Sequence, residues 1–127
     1  MNWPKHFPEG CPPSGPYEPP RTYYTLVTRG PDPPPEDFLP HAERDGYRLE
    51  GGRGSRCKDC ALSVFVDREA IENFLINRGP SLHSRVVAEM KVAEPYGKIR
   101  KDDHPEGHCD WWLFEGLSFR QFFVRCL

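Results

Sequence analysis

The sequence predicts an α+β domain, a mostly antiparallel sheet of about five or six strands with one main helix and a short one, preceded by a proline-rich extended arm. Three observations carry this. Short runs of β-branched and aromatic residues recur between turn residues from Thr22 onward. One stretch, Asp67–Arg78, combines a cap, helical spacing and a Gly-Pro stop. Twelve of the 15 prolines lie before His41, so residues 1–21 form neither a helix interior nor a central strand. The division is therefore an arm, 1–21, and a single domain, 22–127.

The arm reads as polyproline-like, with Trp3, Phe7 and Tyr17 available to dock on the domain or on another protein. Thr22–Thr28 (TYYTLVT) is the first strand. Pro35-Glu36-Asp37 opens a short helix through about Arg44, because proline fits a first turn and early carboxylates complement the helix dipole. Gly46–Ser55 is a loop flanked and threaded by Arg44, Arg48, Arg53, Arg56 and Lys58, a set suited to an anion such as a phosphate. Ala61–Val66 is a second strand. Asp67 caps the helix that follows, whose buried stripe is Ala70, Ile71, Phe74 and Leu75. Arg85–Val92 alternates as a half-buried strand should. Tyr96–Arg100 and Cys109–Phe114 are strands around the polar loop Asp102–Gly107, and a helical turn at Ser118–Gln121 leads into a last strand, Phe122–Cys126.

Composition narrows the function. With 127 residues, 37% hydrophobic and 28% charged, the chain holds one modest core. A net charge of −2 gives no general attraction for nucleic acid or anionic lipid. No apolar run approaches the ~20 residues of a membrane span, and no leader-like start is present, so cytoplasmic residence is expected. The five cysteines are an odd number, which points to reduced thiols and metal binding or packing instead of a disulfide framework.

Two functional readings follow. Cys57-x2-Cys60 has the spacing of half a zinc site, and His104 with His108 could supply the other half. On that reading the protein is a non-enzymatic adaptor with a structural zinc, using its arm and exposed aromatics to bind another protein. That adaptor is the alternative; the leading reading is a small intracellular enzyme or toxin-like domain. The order strand, short helix, glycine-rich loop, strand (LSVF), helix, strands resembles the ADP-ribosyltransferase fold across Thr22 to the C-terminus. The resemblance implies an NAD pocket in which Tyr24 stacks on nicotinamide, Ser63 opens the middle motif and Glu115 (or Glu89) is the late acid. Arg48, Arg53 and Arg56 would hold the pyrophosphate, with Trp112 as a further cofactor-binding aromatic. Independently of either reading, His108 beside Asp110 and the Trp111-Trp112 pair has the chemistry of a general base near neutral pH.

Overall fold

The computed structural model describes residues 1–44, 56–79, 82, 84–102 and 104–127. Six strands form one antiparallel sheet: β1 (Thr22–Val27), β2 (Leu62–Phe65), β3 (Val86–Lys91), β4 (Lys98–Lys101), β5 (His108–Trp112) and β6 (Phe123–Cys126), in the order β4-β5-β2-β1-β3-β6. The expected α+β architecture is thus the one found. Its main helix is α2 (Arg68–Arg78), and β2 lies in the interior between β5 and β1.

The expected short helix over 35–44 is two pieces, a 3-10 turn at Pro35–Phe38 and α1 (His41–Arg44). The break sits at Leu39, which is extended (φ −108°, ψ 135°) because it precedes Pro40 and the proline ring crowds a helical conformation there. Helix α2 begins as read: the Asp67 carboxylate accepts the Ala70 N–H at 2.7 Å, and Gly79 ends the helix at φ 80°, a conformation that suits a residue without Cβ. The Cys57–Cys60 segment forms another 3-10 turn directly before β2.

Alternation along the strands separates two faces. Tyr23 and Met90, Leu62 and Trp111, Val64 and Cys109, and Ile99 and Trp111 are opposite pairs on one face, all buried. Phe119 and Phe122 meet Trp111 edge-on at 4.7 and 5.3 Å, while Phe38 packs on Phe123 at 5.3 Å, which closes this face into the principal core.

On the opposite face, α2 covers one end by placing Phe74 against Phe65 at 5.2 Å. The other end is covered by the arm: Trp3 lies 4.6 Å from Phe114, and Cys11, Ala42, Cys60, Ala61 and Trp112 form a second buried cluster. A disulfide between Cys11 and Cys57 ties the arm to the turn before β2. The odd cysteine count had pointed away from such a bond, but connectivity is a property of the fold and not of the count. Between the two covered ends lies a polar strip. No helix among the described residues is long and apolar enough to cross a membrane.

Candidate active site

The strip is built by three neighbouring elements. In β2, Leu62 and Val64 point into the core, so Ser63 faces the other way and is exposed. In β5, Cys109 and Trp111 are core residues, so His108 and Asp110 share the face of Ser63. The antiparallel register sets Ser63 opposite Asp110 and Phe65 opposite His108. Asp102 comes from the loop after β4, where its backbone N–H donates to the His108 carbonyl at 2.9 Å.

These residues form a continuous chain. His108 Nε2 lies 3.0 Å from Ser63 Oγ, and His108 Nδ1 lies 3.1 Å from Asp102 Oδ2. The Lys58 ammonium donates to Asp102 Oδ2 at 2.7 Å and lies 3.8 Å from Asp110 Oδ2. Phe65 meets the imidazole edge-on at 5.4 Å and flanks the ring. The Thr25 hydroxyl donates to the Ser63 carbonyl at 2.8 Å, pinning β2 beside the nucleophile-type side chain. Lys58 is itself held from behind, since the Trp112 indole N–H donates to the carbonyl of Cys57 at 2.9 Å.

Electrostatics assigns the protons. Burial pushes the Asp102 carboxyl up, but the hydrogen bond and charge of Lys58, joined by those of His108, outweigh it and hold Asp102 below its ordinary value. Asp102 is therefore a carboxylate at neutral pH. A carboxylate accepts only, so neutral His108 carries its hydrogen on Nδ1 and presents the bare Nε2 to the Ser63 hydroxyl. Asp110 behaves oppositely: burial raises its carboxyl, with His108 and Lys58 opposing. Its Oδ1 lies 4.0 Å from His108 Nε2.

Ser63 and His108 open into a cavity of about 330 Å³. A larger one of about 810 Å³ runs along α2 and the 104–107 loop but includes neither residue, so the chemistry locates the site in the smaller cavity.

The residues expected for an NAD pocket do not gather. Tyr24 lies half-buried on β1, opposite Phe65 and Glu89, and does not line the Ser63 cavity. Glu115 lies on the turn beyond β5, against the arm, where its N–H donates to the Asn2 carbonyl, and it lines a separate cavity of about 590 Å³. Trp112 is 3% exposed and committed to the second apolar cluster, so it offers no platform to a cofactor. Arg56 pairs with Asp59 at 2.9 Å, and Arg48 and Arg53 lie outside the described residues.

The expected zinc set is also corrected. Cys57 is in the disulfide and carries no thiol. Cys60 is buried, its thiol pushed up to about 11 by burial and by the Asp59 and Glu43 carboxylates, and it points at the Arg56 carbonyl. His104 is exposed on the loop, while His108 is engaged by Ser63 and Asp102. The ligand-type side chains that do converge among the described residues are Asp102, His108 and Asp110, within 4.8 Å of one another. The Lys58 ammonium already supplies the positive charge beside both carboxylates.

Against protein-family models, curated proteins and solved structures, the chain finds no match.

Proposed function

We propose that the protein is a hydrolase that works through an acyl-enzyme on Ser63. The observation that carries this reading is the unbroken Ser63–His108–Asp102 chain opening into a cavity. Ser63 Oγ attacks the carbonyl carbon of an ester while its proton passes to His108 Nε2. Collapse of the tetrahedral adduct breaks the bond to the leaving oxygen, which takes that proton from His108. A water, deprotonated by the same Nε2, then attacks the acyl carbon, releases the acid and restores the serine. Asp102 orients the imidazole and steadies its positive form, and Lys58 keeps Asp102 ionised. Proton transfer by a positioned base of this kind contributes about 10²–10⁴ in rate.

The NAD-using and zinc-bound readings have less behind them. The first needs Tyr24, Ser63 and Glu115 in one cleft, and the second needs a Cys57 thiolate. The test is labelling with a fluorophosphonate, which phosphonylates an activated serine. One adduct per chain is expected, mapped to Ser63, absent in Ser63→Ala and slowed about 10³-fold in His108→Gln. Labelling elsewhere, or at a rate indifferent to His108, would overturn the reading.

A further inference from the structure

We infer that the cavity in front of Ser63 takes a substrate whose acid portion bears a second, anionic group, a carboxylate or a phosphate, held by Arg44, Arg78 and Arg85. This names the substrate class of the site above and rests on the Ser63 reading for the bond that is cleaved, but not for the anion it binds.

The charges that line the cavity are unequal. Arg44, Lys58, Arg78 and Arg85 face two carboxylates, Asp37 and Asp102. Both carboxylates are already engaged. Asp37 accepts the Thr28 N–H at 2.8 Å and the Thr28 hydroxyl at 2.7 Å, and Asp102 accepts from Lys58 and lies against His108. None of the three arginines forms an ion pair with a carboxylate among the described residues. Arg44 lies 3.3 Å from the imidazole of His41, and Arg78 stacks over the Phe74 ring at 5.1 Å. That stack matters for position, because Phe74 packs on Phe65 and Phe65 on His108, so Arg78 is placed through two rings relative to the imidazole.

A positive cavity is unexpected in a chain of net charge −2, so the bulk balance does not explain it. Guanidinium groups suit carboxylate and phosphate through paired N–H donors. In a concave site they also concentrate anions locally. A neutral ester would leave this positive charge unmatched, whereas an acid with a second negative group would satisfy it while its ester carbonyl lies at Ser63.

The experiment separates binding from turnover. Titration calorimetry of Ser63→Ala with inorganic phosphate and with succinate, at low salt, should show binding of at least one anion. Which one binds tells phosphate from carboxylate. Arg78→Gln combined with Arg85→Gln should weaken it about tenfold or more, and added salt should weaken it as well. These arginines are exposed, and circular dichroism checks that the variant folds. In parallel, the wild-type protein is given the nitrophenyl monoester of succinic acid and nitrophenyl butyrate. The anionic ester should be preferred, with the preference lost in the arginine variant. Failure of both anions to bind, or binding indifferent to the arginines, overturns the inference. Arginine-dependent binding with neither ester cleaved would leave it standing and sink the hydrolytic reading. Cleavage of both esters alike would do the reverse.

Discussion

The two faces of the sheet are built from the same six strands but closed in different ways. One is sealed along its length by aromatic and aliphatic side chains around Trp111. The other is covered at its ends, by α2 and by the disulfide-tethered arm, with Ser63, His108 and Asp110 between them among the described residues. Neighbouring residues on one strand therefore face opposite ways: Leu62 and Trp111 are packed in the core, while Ser63 and Asp110 sit one position away on the other face. Stability and chemistry are separated by the pleat of the sheet.

Mutation should expose that separation most sharply at Trp111 and Ser63. Trp111→Ala removes a fully buried ring and orphans the Tyr96 carbonyl that accepts its indole N–H, so urea denaturation should show a loss of about 3–5 kcal/mol. Ser63→Ala, at an exposed position, should change stability by about 0.5 kcal/mol or less. Comparable losses at both sites would erase the contrast. Next in size is the tether. The Cys11–Cys57 bond spans 46 residues of sequence, and the double change Cys11→Ser, Cys57→Ser should cost about 2–4 kcal/mol. Reductant should destabilise the wild-type protein and leave the double variant unaffected.

The smallest effect distinguishes two acids on the same face. Asp102 is held below its ordinary 3.8, so the stability it contributes is present above that pH and fades as the pH falls through the lower folded value. Asp110 is raised above 3.8, so its contribution is fully present below that pH and fades as the pH rises through the folded value. Asp102→Asn should therefore destabilise at neutral pH, by about 0.2–1 kcal/mol as for a partly exposed ion pair, and lose its effect in acid. Asp110→Asn should be harmless or stabilising at neutral pH and lose that effect in acid, where both side chains are neutral. Parallel pH–stability curves for the two variants would contradict these assignments.

How much of this was legible in the chain depended on whether a feature is local. The strands, the Asp67 cap and the Gly79 stop are local patterns, and all appear within a few residues of their expected bounds. The split at Pro40 was also readable in principle, since the residue before a proline resists helix. The site was readable only in fragments. Ser63 enters only through the ADP-ribosyltransferase resemblance, and His108 as a base beside Asp110, but nothing local sets one against the other. That needs the β2–β5 register, a pairing across 45 residues. Asp102 lay in a loop rich in acids and had no distinguishing mark of its own. Cys57-x2-Cys60 drew attention to a metal because its spacing is conspicuous, whereas its actual partner, Cys11, is 46 residues away in the proline-rich arm. The residues expected for NAD failed to meet for a related reason: order along the chain does not specify which strand faces share a cleft.

In the proposed mechanism, Asp102 holds the His108 hydrogen on Nδ1 and leaves Nε2 to take the Ser63 proton. Nitrogen-15 NMR of the histidine side chains, recorded where His108 is neutral and assigned with His108→Gln, reads that directly. A protonated Nδ1 with a bare Nε2, shifting toward the other tautomer in Asp102→Asn, is the result expected. A hydrogen on Nε2 in the wild-type protein would mean that His108 donates to Ser63 and cannot act as its base.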